Sequence, residues 1–166
     1  ATTIYTNHAI STLLPVHPAS ELYQLGESPL TYDPESLALL MEELRLTDSE
    51  LVFVVNSENV AKSSAAQLIV YQLNAAGFQV DLRQLSFEDY TAALKQGNFD
   101  LYMAETVFTA DFDLGPLLSS GGALNYGGWW TEGSDQLFQS PLGAAEDKAA
   151  CGAELFDLLH TQAPIV

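Results

Sequence analysis

The sequence predicts an α/β fold with a mostly parallel central sheet and flanking helices. Two short apolar runs, at residues 51–55 and 99–104, and a segment of alternating apolar and polar residues at 78–85 have the length and composition of strands. Segments with the apolar spacing of amphipathic helices lie between them. Strands that alternate with helices pair in parallel through right-handed crossovers, so this order predicts two such crossovers.

A helix is predicted to begin just after Asp33, ahead of the first strand. Asp33 can cap it, Pro34 fits its first position, and Glu35 favours the positive end of the helix dipole. The apolar residues that repeat there at helical spacing are Leu37, Leu40, Met41 and Leu44. The run LVFVV at residues 51–55 follows without a polar interruption, which predicts a strand that is buried on both faces.

The next elements are predicted from their boundaries. Gly77 is placed to end the helix that follows the first strand. Residues 78–83 then alternate between apolar and polar side chains, which is typical of a strand with one wetter face. Ser86 and Asp89 resemble a capping box at the start of another helix, and Gly97 can end that helix.

The two ends of the chain differ in character from this middle part. Residues 1–31 show no sustained period and contain three prolines, so we expect an extended strap there and an α/β lobe at residues 32–166. Residues 113–134 are rich in glycine and serine, which predicts loop with one helical turn. Residues 143–162 predict a final amphipathic helix, and residues 163–166 an apolar fragment of strand.

The composition excludes several classes of partner. Five basic residues against 22 acidic ones give a net charge of −17 and a pI near 4.1. Such a surface repels phosphate backbones and anionic lipid, so nucleic acid is not an expected partner. The single cysteine, Cys151, excludes a cysteine-based zinc site, and the three histidines lack ligand spacing. We therefore expect neither a metal nor a cofactor.

Candidate binding residues follow from the rule that ligands bind just outside the carboxyl ends of parallel strands. After the first strand the rule selects Asn56, Ser57 and Asn59, although Asn59 can instead cap the next helix. After the third strand it selects Glu105, Thr106 and Phe108.

Glu105 is the most informative of these residues. A carboxylate buried alone at a strand end costs several kcal/mol. Glu105 must therefore point to water, pair with an arginine, or receive the positive or donor group of a ligand. We expect it at the end of a central parallel strand, on the rim of a ligand cleft.

Two further groups have both a functional and an ordinary interpretation. Asp111 and Asp113 form a D-x-D pair that could chelate a hard cation, although a helix cap and a turn residue are the more ordinary roles. Tyr126, Trp129 and Trp130 lie among glycines in NYGGWW. Their rings can either contact a flat partner or pack in the core.

The order of several segments resembles a known family. These segments are YDPESLALLMEEL, LVFVVNSEN, LNAAGFQVDL, KQGNFDLYM, NYGG and LFDLLHTQAPIV. From about Tyr32 onward they are similar to the second lobe of extracellular solute-binding proteins of the dipeptide, oligopeptide and nickel class. Proteins of this class are the ligand-capturing components of ABC importers and have two lobes around a cleft.

The resemblance implies a transport role without catalysis. The chain would be one lobe of a periplasmic protein or cell-surface lipoprotein, with residues 1–31 passing to or from the other lobe. Its partners would be a small solute such as a peptide, that other lobe, and ABC permease subunits. The expected ligand contacts are Asn56, Ser57, Glu105, Thr106, Phe108, Asp111, Tyr126 and Trp129.

One departure from the family pattern affects the expected ligand. Peptide-binding members commonly place an aspartate after the third strand, against the amino group of the peptide. Here Phe108 stands near that position and Glu105 near a neighbouring tryptophan position. Glu105 or Asp111 would have to substitute, or the ligand is not a peptide. An acidic hydrolase or lyase that uses Glu105 and Asp111 as paired carboxylates is the alternative hypothesis.

Overall fold

The computed structural model describes residues 2–5, 9–10, 12, 15, 17–19, 33–46, 49–108, 113–139 and 148–162. The chain divides into two units, each with an apolar cluster of its own. The first unit takes in Ala1–Ala9 and Tyr32–Glu105, and the second takes in Ile10–Thr31 and Thr106–Val166. The predicted boundary between residues 31 and 32 stays a prediction.

The first unit alternates strands and helices as the sequence predicts. Its elements in chain order are α1 (Thr2–Tyr5), α2 (Pro34–Glu43), β1 (Glu50–Asn56), α3 (Val60–Ala75), β2 (Gln79–Leu85), α4 (Phe87–Gln96) and β3 (Leu101–Met103). Only α1 was not predicted, because its four residues are too few to show a helical period.

The three strands form a parallel sheet in the order β2-β1-β3. Phe53 is opposite Leu82 on β2 and opposite Leu101 on β3. The predicted α/β class, with a parallel sheet and flanking helices, is confirmed. One expectation is wrong for the described sheet: β1 is its central strand, and β3, which precedes Glu105, lies at its edge. Among the described residues no strand pairs on the other side of β3, whose three residues pair only with β1.

The core of the first unit lies on both faces of β1. Phe53 and Val55 point to one face, where they pack with Ala66 of α3, and Val54 points to the other face and is fully buried. Partly buried residues complete the cluster on the α3 side: Ile69, Val70, Val80, Leu82 and Met103. The prediction of a strand buried on both faces is confirmed.

The predicted helix boundaries are confirmed by the hydrogen bonds at each end. The Asp33 carboxylate accepts from the Ser36 backbone N–H at 3.0 Å, which caps α2. Ser86 Oγ accepts from the Asp89 backbone N–H at 3.2 Å, which caps α4. Gly97 ends α4 with a φ of 69°, a left-handed conformation that glycine adopts without strain.

Fewer of the apolar residues on the helices are buried than their helical spacing indicates. In α2 only Met41 is buried, whereas Leu40 and Leu44 are exposed. In α3 the side that faces the sheet carries Ala66, and Leu68 is half exposed. Helical spacing therefore predicted the helices but not which of their leucines are covered.

In the described part of the second unit there are three helices. They are α5 (Gly115–Leu118), α6 (Ser134–Gln139) and α7 (Lys148–Gln162). The buried residues of its apolar cluster are Leu114, Leu118, Leu155, Phe156 and Leu159. The predicted final helix is thus confirmed as α7, and α5 is the predicted single turn. The predicted strand at residues 163–166 lies outside the described residues.

None of the described helices has both the length and the apolar character needed to cross a lipid bilayer.

Candidate functional site

The carboxyl ends of β1 and β3 lie side by side at one end of the sheet, which we call the carboxyl edge. The two strands are neighbours and run in parallel, so the loops that follow them leave the sheet side by side. In the order β2-β1-β3, the strand that follows β1 in the chain pairs on one side of it, and the next strand, β3, pairs on the other side. Such a reversal of strand order is the place where open α/β sheets bind ligands.

The loop after β1 is fixed by its own polar groups. Asn56 Oδ1 accepts from the Glu58 backbone N–H at 3.0 Å. The Ser57 backbone N–H and Oγ both donate to the Leu85 carbonyl oxygen, at 2.8 Å and 2.9 Å. Glu58 Oε1 accepts from the Phe87 backbone N–H at 2.9 Å. The predicted residues Asn56 and Ser57 therefore stand at the edge in a loop that is held to the end of β2.

Asn59 has the structural role that the sequence left open. Its Oδ1 accepts from the Lys62 backbone N–H at 3.0 Å, so Asn59 is the N-cap of α3. The structure therefore favours capping over ligand contact for this residue.

Replacing Asn59 by alanine should destabilise the chain without changing ligand binding. Loss of an N-cap oxygen costs about 1 kcal/mol, because a backbone N–H of the first helical turn is left without its acceptor. Urea unfolding of Asn59→Ala against the parent chain measures this loss. A binding defect larger than the stability change accounts for would contradict the assignment of Asn59 as a cap.

An ion pair joins the loops at this edge. Lys62 Nζ lies 2.7 Å from Glu105 Oε2, and so connects the first turn of α3 to the residue pair that follows β3. The Glu105 side chain is 65% exposed, and that of Lys62 only 18%. Of the three interpretations of Glu105, the structure shows an exposed carboxylate with a basic partner, and the partner is a lysine rather than an arginine.

Lys62 also sets the ionisation of this edge. Its hydrogen bond to Glu105, together with its positive charge, lowers the pKa of the Glu105 carboxyl below its ordinary value. The carboxylate consequently stays ionised to a lower pH than that of a free glutamate. The end of β3 is held in place by Tyr90, whose hydroxyl donates to the Met103 carbonyl oxygen at 2.9 Å.

The other predicted residues belong to the second unit. Thr106 is exposed, and Phe108 is partly buried against the apolar cluster around Leu118 and Phe156. Asp111 lies outside the described residues. Asp113 Oδ1 accepts from the Gly115 backbone N–H at 2.8 Å, which is the turn role expected as its ordinary interpretation.

Asn125 organises the NYGGWW segment. Its Nδ2 donates to the carbonyl oxygens of Ser119 and Trp129, at 2.9 Å and 2.8 Å, and its Oδ1 accepts from the Trp129 backbone N–H at 3.0 Å. Trp129 packs on the apolar cluster and meets Phe138 edge to face. Tyr126 is partly buried, while Trp130 is 57% exposed. Of the two tryptophans, Trp129 takes the core-packing role and Trp130 faces solvent.

Sequence reasoning missed Lys62 and Asn125. A signal for Lys62 existed, because it lies three residues after the Asn59 cap, on the first turn of a helix that starts at the candidate edge. Its partner could not be inferred, since Glu105 is 43 residues further along the chain (105 − 62 = 43). Among the described residues, no three His, Cys, Asp or Glu side chains come together as a metal site.

The described residues also line two clefts that include none of the candidate residues of the carboxyl edge. One of about 350 Å³ lies over the first residues of β1 and the wetter face of β2, where Val52, Asp81 and Arg83 line it. Another of about 270 Å³ lies in the second unit, beside α5 and α6. We place the candidate site at the edge because the crevice of a parallel sheet forms where strand order reverses.

Comparison with known protein families shows where the chain belongs. The family model described as bacterial extracellular solute-binding proteins, family 5, middle region, matches residues 1–125. The chain is a member of this solute-binding family. The match confirms the resemblance that the order of its sequence segments indicated. A comparison with the curated proteins gave no significant match.

Solved structures of solute-binding proteins have the same fold. The ABC transporter-associated periplasmic binding protein DppA from Helicobacter pylori, in complex with peptide STSA, superposes with a TM-score of 0.78 at 18% identity, covering 98% of this chain and 34% of DppA. NikA from Brucella suis, in complex with Fe(III)-EDTA, superposes with a TM-score of 0.76 at 15% identity, covering 92% of this chain and 35% of NikA. The oligopeptide-binding protein AppA from Bacillus subtilis, in complex with a nonapeptide, superposes with a TM-score of 0.71 at 15% identity, covering 98% of this chain and 37% of AppA.

The chain therefore spans about a third of the length of these solute-binding proteins. At such low identities the similarity shows the fold, and membership of the family rests on the family model. The family consists of binding proteins, and nothing in the described residues supports the alternative of an acidic hydrolase or lyase. Glu105 is paired with a lysine rather than with a second carboxylate.

Proposed function

We propose that the chain is a ligand-binding lobe of an ABC-importer substrate-binding protein, which captures a peptide or a similar small solute. The observation that carries the proposal is the Lys62–Glu105 pair beside the carboxyl ends of β1 and β3, where the strand order reverses. This pair offers both a positive and a negative charge at the place where an open parallel sheet binds ligands. A solute with an amino group and a carboxylate is complementary to it.

The exposure of the Glu105 carboxylate favours exchange of its partner with a ligand. An ion pair at a protein surface typically contributes only about 0–1 kcal/mol, because water competes for the exposed group. A ligand ammonium can therefore reach Glu105 at little cost, since its carboxylate is 65% exposed. Glu105 then takes the part of the amine-binding carboxylate that the family pattern places near Phe108.

The wider proposal concerns the intact protein. It would be extracytoplasmic, periplasmic or a cell-surface lipoprotein, with a second lobe and ABC permease subunits as partners. Ligand bound to both lobes would stabilise a hinge-closed form that the permease recognises. No catalytic step or cofactor is needed. Asn56 and Ser57 are proposed contacts in the first unit; those proposed in the second are Thr106, Phe108, Asp111, Tyr126 and Trp129.

Removing the Glu105 charge should weaken binding of the solute. Calorimetry of the intact protein against a peptide library, sugars and metal complexes identifies the solute first. Glu105→Gln should then weaken its binding by about tenfold or more, as expected when one hydrogen bond between charged groups is lost. Lys62→Met should also weaken a ligand that carries a carboxylate.

Two exposed residues away from this edge provide matched controls. Glu43 ends α2, ahead of β1, and Lys95 lies in the last turn of α4, ahead of β3. Glu43→Gln and Lys95→Met make the same changes of charge and should leave affinity unchanged. Equal affinity in Glu105→Gln and Glu43→Gln would contradict the assignment of the edge. Absence of binding to every class of solute in the unaltered protein would overturn the proposed function itself.

A further inference from the structure

The cleft of about 270 Å³ in the second unit has an organised lining. It lies beside α5, the turn that follows α5, and α6. Its lining residues are Gly115, Ser119, Ser120, Gly121, Asp135 and Phe138. Gly121 borders open space, because a side chain at that position would meet no atom within 4 Å. The cleft is therefore open to a small solute.

Asp135 gives this cleft its charge. It is the one charged residue among the six that line the cleft. The Ser120 backbone N–H donates to Asp135 Oδ1 at 2.7 Å, and Ser120 Oγ donates to Asp135 Oδ2 at 2.5 Å. These two hydrogen bonds, with a smaller contribution from the Trp130 side chain, lower the pKa of the Asp135 carboxyl. The carboxylate is thus fixed in position and ionised at neutral pH.

The carboxylate keeps room for one more partner. A carboxylate offers about four acceptor sites, and the two hydrogen bonds from Ser120 occupy two of them. Among the described residues of the lining there is no lysine, arginine or histidine, so none of these residues supplies a counter-ion. A ligand that donates a charged hydrogen bond would complete the set.

Aromatic rings stand next to this carboxylate. Phe138 lines the cleft, and the indole of Trp130, 57% exposed, lies near enough to Asp135 to contribute to the lowered pKa of its carboxyl. The faces of aromatic rings attract cations, tryptophan most strongly. The net charge of −17 also raises the local concentration of cations over that of anions. Both effects select positive charge on a small organic group.

We infer that this cleft binds a small organic cation that carries a primary ammonium or guanidinium group, with Asp135 as the counter-ion and Phe138 and Trp130 beside it. The site lies in the second unit. It is independent of the proposed function, which depends on Lys62 and Glu105 in the first unit.

Nuclear magnetic resonance of the 15N-labelled chain tests this inference, with n-butylammonium as the probe and n-butanol as its neutral match. Butylammonium should shift the Trp130 indole N–H and the Ser120 amide signals saturably, and butanol should not. The Trp130 signal is assigned from Trp130→Phe. In Asp135→Asn the affinity should fall by about tenfold or more. Glu88→Gln, which removes one negative charge from the exposed side of α4, should bind as the parent does.

The same titrations contain the outcomes that would overturn the inference. Equal shifts with butanol would show an apolar cleft without charge selection. Shifts that spread over the acidic surface and do not saturate would show adventitious ion binding only. Unchanged affinity in Asp135→Asn would show that Asp135 is not the counter-ion of the bound cation. Should Asp135→Asn disturb the loop, the comparison of the two probes on the unaltered chain still decides. None of these results bears on Glu105, so the proposed function is tested separately.

Discussion

Replacing Phe53 by alanine should lower the free energy of unfolding of the first unit by about 3–5 kcal/mol, the usual cost of truncating a buried phenylalanine. Phe53 is only 3% exposed and lies at the centre of β1, where it packs with Val55 and Ala66. Its loss leaves a cavity between the sheet and α3, because the backbone of a central strand cannot collapse into the space. Hydrogen exchange of the β1 backbone amides measures the change in this unit directly.

Phe87 provides the matched control for this substitution. It is the same residue type, stands at the start of α4 and is 58% exposed. Phe87→Ala should change the free energy of unfolding by less than about 1 kcal/mol, since a side chain that is exposed to solvent contributes little to stability. Equal losses for Phe53→Ala and Phe87→Ala would show that β1 is not the core of the unit, and the predicted position of the crevice beside β1 would fall with it.

Replacing Gly122 by alanine should destabilise the second unit by about 1–3 kcal/mol, or more if the turn cannot relax. A Cβ atom at this position would stand 2.5 Å from the Pro116 carbonyl oxygen and 2.7 Å from that of Gly115. Both are backbone atoms of α5, so neither can move without distorting the helix. The chain has two tryptophans, Trp129 and Trp130, both in the second unit, so fluorescence during urea unfolding reports on that unit.

Gly121 tests whether the effect of Gly122→Ala is steric. A Cβ atom at Gly121 would meet nothing within 4 Å, and its φ is not positive. Gly121→Ala should therefore leave stability within about 0.5 kcal/mol of the parent chain. A similar loss in both variants would mean that the turn needs glycine for its flexibility, and not for the close approach of α5.

The elements that the sequence predicted well depend on neighbouring residues. Asp33 with Pro34, Ser86 with Asp89, and Gly97 define helix ends within a few positions, so their signals are complete in the sequence. The same is true of the run that became β1. Parallel pairing followed from chain order, because strands separated by helices have few other arrangements.

Features that depend on distant contacts were harder to predict. The sequence placed Glu105 at a strand end but could not select Lys62 as its partner, and it expected a central strand where β3 is an edge of the described sheet. It could not distinguish Trp129 from Trp130, because the difference arises from the packing of the Trp129 ring on the apolar cluster of the second unit. In each case the deciding atoms come from another part of the chain.

The proposed binding site is tested most directly by locating the bound solute on the chain with nuclear magnetic resonance. The 15N-labelled chain is titrated with the solute that calorimetry identifies, and the shift of each backbone amide is followed. We expect saturable shifts at the carboxyl edge, at Asn56, Ser57, Lys62 and Glu105. Shifts that concentrate instead around Val52, Asp81 and Arg83, in the cleft of about 350 Å³ over the opposite part of the sheet, would contradict the assignment of the site.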